Sequence, residues 1–345
     1  MDTEELASLR NQHPDKHLSR RDFVRVLSAG TGLITAGLTG FALTPSQRAE
    51  AAEAMVEDLG KLPTVKFGRL PFKISPISIS QDWNRELFAP AVEMGVNFIH
   101  KAGYWRNESS IPDAIKKLPR ESYYTDITVD NTSPGHDPDN YDEAYNQVKD
   151  SLAKNGLKYY DIYRAHYGWH SPDKVMKENN TSYKAFLKLQ KEGLVKSFGV
   201  SQHPYDGGPR EAAIEKYAIM IQACIDSGIV DSMQVWYSYG YPKEVTDIFA
   251  KASKAGIAMT AMKINAHGRG KMGANVELQK SLKAEGMIGR ALLRSVMTEK
   301  RPDGKPIFQT CVSALGNMQI FEENIGGVSK KVALRDGFDR FQYEV

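Results

Sequence analysis

Two imidazoles and a carboxylate stand out in this chain by where they fall relative to short apolar runs. Residues 161–166 read Asp161, Ile162, Tyr163, Arg164, Ala165, His166, ahead of a turn-rich stretch with Gly168 and Pro172. A run of that length with β-branched and aromatic members suits a buried strand. A histidine at the C-terminal end of such a strand sits where a parallel barrel builds its active site. His100 follows a strand-like run at 97–99, and Asp130 follows one at 127–129. On adjacent strands of one barrel, His100, Asp130 and His166 would meet at the same mouth. Two imidazoles and one carboxylate make a ligand set for zinc, or for iron with open positions. Without a divalent metal, the same groups form a hydrogen-bonded cluster suited to acid/base work. Tyr104, Trp105 and Trp169 would wall that pocket, and His203 and His267 would face it. His136 and His170 are assigned to the surface. For His166 the simpler alternative is a core histidine whose ring nitrogens are satisfied by neighbours.

The elements that must hold these residues alternate along the chain. Residues 66–75 alternate around a central turn and predict a small hairpin. Strands are expected at 77–80, 97–99, 127–129, 162–164, 197–200, 233–235, 257–261 and 310–313. Helices are expected at 85–94, 112–118, 142–152, 182–191, 209–227 and 242–254. Pro209 and Pro242 lie near helix starts, and Gly95, Gly156, Gly193 and Gly256 just past helix ends. Eight strands alternating with helices fit an α/β fold, a (β/α)8 TIM barrel with a short N-terminal hairpin. An open doubly wound sheet is the second choice, and no G-x-G-x-x-G follows the first strand to support it.

Composition narrows the field further. With 345 residues and 41% hydrophobic content, the chain can bury one large core. A net charge of +3 and the lack of a clustered basic face argue against nucleic acid as a partner. The two cysteines, Cys224 and Cys311, are too far apart in sequence for a CxxC metal knuckle. A disulfide between them would need an oxidising compartment.

The N-terminus reads as a targeting segment. Ser19, Arg20, Arg21, Asp22 and Phe23 precede an uncharged run from Val26 to Pro45, followed by small-residue sites around Ala49–Ala51 and Ala52–Ala54. That order makes a secretory signal, and the paired arginines resemble a twin-arginine signal. Residues 1–54 are therefore expected to be a signal peptide and linker. The twin-arginine machinery would be a partner and the periplasm the destination. Cleavage would leave no stable membrane span; an uncleaved anchor is the minor alternative. The barrel is expected over 65–330, with a tail at 331–345.

Several segments, in order, resemble the aldo/keto reductase family across residues 65–330. Gly95, Val96, Asn97 and Phe98 are similar to its second barrel strand, and residues 161–166 to its fourth, which carries a catalytic histidine. Residues 189–201 (L-Q-K-E-G-L-V-K-S-F-G-V-S) are similar to the approach to its fifth, and Ser232 to Val235 to its sixth. Residues 256–263 (G-I-A-M-T-A-M-K) and 316–324 (G-N-M-Q-I-F-E-E-N) are similar to its seventh strand and its adenine-binding helix. The A-M-K form is that of the ferredoxin-type branch. The resemblance implies an oxidoreductase that uses NADP or NAD and acts on a small carbonyl or hydroxyl compound.

It also implies particular residues. His166 matches the family's histidine. The family's aspartate falls on His100, its tyrosine on Trp105 with Tyr104 beside it, and its lysine on Asp130. A tyrosine with pKa near 10 needs a nearby cation to act as an acid at neutral pH, and Asp130 would push it the other way. The resemblance thus implies an altered active site built on His166, His100, Tyr104 and Asp130. Ser201, Gln202 and Gln234 match residues that hold the nicotinamide amide, and Met262 stands where many members stack a tyrosine. Glu323 and Asn324 match an adenine-contacting pair. No Lys or Arg lies between Cys311 and Asn324 to meet a 2′-phosphate; Lys263 and Arg269 are the nearby substitutes. Other functions remain on the same scaffold: a metal- or acid/base-dependent enzyme using His100, Asp130 and His166, or a binding protein whose Trp105 and Trp169 stack on a ligand.

Overall fold

The computed structural model describes residues 61–80, 87–102, 117–129, 140–166, 171–176, 180–204, 210–237, 241–264, 288–313 and 318–328. The strands are β1 (Val65–Lys66), β2 (Lys73–Ile74), β3 (Ile77–Ile79), β4 (Phe98–Ala102), β5 (Tyr124–Val129), β6 (Tyr160–His166), β7 (Val195–Gln202), β8 (Ser232–Trp236), β9 (Ala258–Met262) and β10 (Thr310–Ser313). β1 and β2 pair antiparallel as the expected hairpin. The other eight close a barrel in the order β10-β3-β4-β5-β6-β7-β8-β9. Closure rules out the open doubly wound sheet.

The helices are α1 (Phe88–Glu93), α2 (Tyr141–Asn155), α3 (Thr181–Lys191), α4 (Arg210–Asp226), α5 (Lys243–Lys254), α6 (Ile288–Met297) and α7 (Met318–Val328). Local chemistry sets their ends. Asn140 caps α2 by accepting from the Glu143 N–H at 3.0 Å, with Asp142 and Glu143 in the first turn. Gly156 closes it in a left-handed conformation at φ +64°. Asn180 caps α3 in the same way through Tyr183 N–H at 2.8 Å. The helix expected at 112–118 lies mostly outside the described residues. α6 was not expected from the sequence at all. No helix among the described residues is long and apolar enough to cross a membrane.

Strand alternation divides the core into an outer and an inner part. Outward residues such as Ile99, Ile127, Tyr163, Phe198, Val235 and Met259 pack under the helices in one continuous apolar layer. At roughly 1.5–3 kcal/mol for each large apolar side chain fully buried, this layer dominates stability. Cys224 and Cys311 are buried in it as free thiols, so no disulfide joins them. Cys311 Sγ lies 3.3 Å from Met297 Sδ.

Inside, the N-terminal end of the barrel is plugged by the hairpin. Phe67, Leu70, Phe72 and Ile74 gather with Phe98, Ile162 and Ala258. Gly68 makes the plug fit: at φ +53° it lies so close to β9 that a Cβ there would sit 2.6 Å from the Ala258 nitrogen. Arg69 clamps the turn by donating to Asp231 Oδ1 at 2.9–3.0 Å. With that end shut among the described residues, the C-terminal mouth is the side left for ligands.

Candidate active site

Above the plug, the barrel interior is polar, where barrels of this kind usually carry bulky branched residues. His100 lies within β4, so its ring is held inside the barrel rather than at the rim. Its Nδ1 is 2.6 Å from Asp126 Oδ2 and its Nε2 is 2.7 Å from Ser78 Oγ. Asp126 Oδ2 is also 2.8 Å from Arg164 Nη2, and Arg164 Nη1 donates to Gln234 Oε1. One chain of contacts therefore crosses the interior from β3 to β8: Ser78, His100, Asp126, Arg164, Gln234. Asp126 and Arg164 are completely buried. Ser232, Thr260 and Thr310 add buried hydroxyls on the neighbouring strands.

Chemistry fixes the protons. A carboxylate only accepts, so Nδ1 of His100 carries a hydrogen toward Asp126. Burial, opposed by Asp126 and reinforced by Arg164, holds the His100 pKa below its ordinary value. The imidazole is therefore neutral near pH 7, and its Nε2 shares the single Ser78 hydroxyl hydrogen with the Cys311 carbonyl oxygen, 3.1 Å from Ser78 Oγ. The Asp126 charge is balanced by Arg164, which keeps the buried set neutral overall.

The mouth lies one layer higher. His166 ends β6, directly beside Ser201 of β7, and Ser201 in turn pairs with Gln234 of β8. The His166 ring meets His203 edge to face with centroids 4.8 Å apart. His203 stands edge-on to Trp236 at 5.9 Å, and Lys263 Nζ sits 5.0 Å from the Trp236 ring centre. Burial first, then His166 and Lys263, drive the His203 pKa down to about 3. His203 is thus a neutral imidazole beside His166. Lys263 is the only non-glycine residue with positive φ (57°) among the described residues. Strained backbone of this kind clusters at functional sites.

The structure separates the residues singled out from sequence. It brings His166, Ser201, Gln234, Met262 and Lys263 to the upper interior and rim of one barrel. Gln202 is different: β7 continues through it, and alternation turns it outward. Its Nε2 lies 3.8 Å from Cys224 Sγ under α4, so it is placed for packing rather than for the mouth. Glu323 and Asn324 both lie on α7, with Asn324 buried; the Glu323 side chain is outside the described residues. So are Tyr104, Trp105, Asp130, Trp169, His267 and Arg269. The metal set is not supported. Both ring nitrogens of His100 are already engaged by Asp126 and Ser78, and no group of three or more metal-ligating side chains occurs among the described residues. Ser78, Asp126, Arg164 and Trp236 are functional candidates that the sequence reading missed. The available signal was charge inside a strand: Asp126 and Arg164 each interrupt an otherwise strand-like run.

Residues 65–285 match the model of the aldo/keto reductase family. The chain belongs to that family. This aldo/keto reductase is 30% identical over 112 residues to methylglyoxal reductase DkgA of Escherichia coli K12, covering 32% of this chain and 37% of that protein. It is 26% identical over 153 residues to an aldo-keto reductase of Mycobacterium avium, covering 44% and 48% of the two chains. The matched stretch thus spans less than half the length of these relatives. Among solved structures, the barrel is similar to the Bombyx mori aldo-keto reductase in complex with NADP, at TM-score 0.57 and 18% identity, covering 82% of this chain and 93% of that one. It is also similar to the holo form of an aldo-keto reductase from Bacillus halodurans, at TM-score 0.56 and 16% identity, covering 81% and 95%. At such identities the likeness concerns the fold.

Proposed function

We propose that this aldo/keto reductase is an oxidoreductase that takes NADP or NAD and a small carbonyl or hydroxyl substrate at the C-terminal mouth, with His166 as its acid/base group. One observation carries this reading. His166, Ser201 and Gln234 occupy a single register line across β6, β7 and β8, which places a proton-transfer group beside two side chains suited to a carboxamide. The relatives point the same way, since one bears the name methylglyoxal reductase and one solved neighbour is in complex with NADP.

The residues present fit the nicotinamide end of such a cofactor. Arg164 has only donors, so it must bond the Gln234 amide oxygen, which leaves the Gln234 NH2 to donate to a carboxamide. The Ser201 hydroxyl is its neighbour, and Met262 offers an apolar surface at the end of β9. When bound, a reduced nicotinamide supplies the hydride. The chain's own part is to hold the carboxamide, to keep the lower barrel shut to water, and to move one proton between His166 and the substrate oxygen. Lys263, at the rim, supplies a cation toward the cofactor's phosphates. The altered-site reading is supported by His100: the residue at the family's aspartate position is locked to Asp126 and Ser78, away from direct contact with substrate.

Export through the twin-arginine pathway to the periplasm belongs to the same proposal, supported by Arg20, Arg21 and the uncharged run that follows. Fractionating cells with and without a working twin-arginine translocase tests it, and protein found only inside the cell in both would overturn it.

Titration with NADPH and NADH, followed by tryptophan fluorescence, tests the cofactor. Saturable quenching is expected because Trp236 lies at the rim. The absence of binding at about millimolar cofactor, the weak end of ordinary ligand affinity, would overturn the reading.

A further inference from the structure

We infer that Arg164 is a positioning residue. It holds the Gln234 amide with its oxygen toward the barrel interior and its NH2 toward the mouth, so the carboxamide subsite is built on a buried ion pair with Asp126. The inference rests on the cofactor reading above and goes beyond it, to a residue that touches neither substrate nor cofactor.

Geometry supplies the first argument. Arg164 is on β6 and Gln234 on β8, so the guanidinium has to cross β7. The β7 residue directly beside Arg164 is Gly199, which has no side chain. On its other side Gly199 pairs with Ser232, two residues below Gln234. Arg164 therefore reaches Gln234 from beneath. The gap is also closed to anything larger: a Cβ on Gly199 would sit 2.4 Å from Ser232 Oγ and 3.0 Å from Ile162 Cγ2.

Hydrogen-bond chemistry supplies the second argument. A glutamine amide bonded only to hydroxyls can sit either way round, because both of its ends find partners. A guanidinium offers donors only, so the amide oxygen must turn to it. Arg164 thus removes one of two amide orientations, and the one that remains presents a donor upward.

Energetics supplies the third. A buried ion pair adds little net stability compared with well-packed apolar side chains. The interior of this barrel could have been filled with branched residues, as others are. What the Asp126–Arg164 pair provides instead is a fixed direction for Gln234. Asp126 keeps the guanidinium charge compensated and aimed, and His100 Nδ1 holds the same oxygen, Asp126 Oδ2.

The test uses the full chain and two probes, NADH and ADP-ribose, the second lacking the nicotinamide. Arg164→Met alone leaves the buried Asp126 carboxylate without its guanidinium countercharge and endangers folding, so the decisive variant is Arg164→Met with Asp126→Asn, which removes both charges and keeps an oxygen for His100 Nδ1–H. Gln234→Glu is the partner variant: it keeps an acceptor for Arg164 and loses the NH2. Both are expected to lower the preference for NADH over ADP-ribose by about tenfold, the worth of one good hydrogen bond, with ADP-ribose affinity unchanged. A double variant that keeps the wild-type preference while Gln234→Glu loses it overturns the inference. A readout without any cofactor separates it from the cofactor reading: the Gln234 side-chain NH2 resonances are expected to shift and exchange faster in the double variant. If the wild type binds neither probe, the cofactor reading falls. If the Gln234 resonances are the same in both proteins, the inference itself falls.

Discussion

Arg164 Nη2 lies 2.8 Å from Asp126 Oδ2 with both side chains fully buried in the centre of the barrel. Neither charge can be removed singly without stranding the other. Arg164→Met is expected to cost roughly 3–5 kcal/mol, the usual price of breaking a buried pair. Arg164→Met with Asp126→Asn is expected to recover most of that loss. Urea denaturation of the wild type and both variants checks the order of stabilities; a single variant as stable as the double would contradict the pairing.

His166 ends β6 at the mouth, where no other described strand offers a proton-transfer group beside Ser201 and Gln234. His166→Asn is expected to lower turnover by about 10²–10⁴-fold, the range for a lost general acid or base. Cofactor affinity is expected to hold. Steady-state rates with a small aldehyde, set beside a fluorescence titration, separate the two effects.

His203 carries a folded-state pKa of about 3, lowered by burial, His166 and Lys263, against about 6.5 for an exposed histidine. Between those values the unfolded chain binds a proton that the folded chain refuses. Stability is therefore greatest above about pH 6.5 and falls as the pH drops toward 3. His100, shifted in the same direction by burial, adds to the fall. His203→Gln is expected to flatten this dependence without abolishing it. Thermal melts from pH 7 to 4 check it, and a variant curve parallel to the wild type would refute the assignment.

Lys263 holds a left-handed backbone at φ 57°, a conformation that costs an ordinary side chain about 1–2 kcal/mol. Lys263→Gly is expected to raise stability by up to about 1 kcal/mol and to weaken cofactor binding, because the rim cation is lost. A stability–function trade of this kind marks strain kept for a purpose. Unchanged affinity would remove Lys263 from the site.

The barrel was legible because alternation of short apolar runs with helix signals survives errors at element ends. The inner chemistry was less so, and strand length is the reason. The run at 97–99 looked complete before His100, but β4 extends through Ala102. That moved His100 from the rim into the interior. The run at 197–200 likewise stopped short of Gln202, and two more residues of β7 put Ser201 and Gln202 on opposite faces. Asp126 and Arg164 show in the sequence only as single charges within strand-like runs, and their meeting was hidden for a different reason. Both faces of a barrel strand are buried, so no polar alternation marks the inner one. Only the closed ring shows that their charges meet.

Cys224 and Cys311 are both shut into the layer between sheet and helices, and burial pushes the Cys224 thiol up to about 12 and Cys311 above the usual range. Oxidants and electrophiles attack the thiolate, which neither residue forms at neutral pH. In the folded chain Cys224 and Cys311 are thus indifferent to the thiol redox poise around it. Neither thiol forms or breaks a bond when the thiol–disulfide balance outside the fold changes.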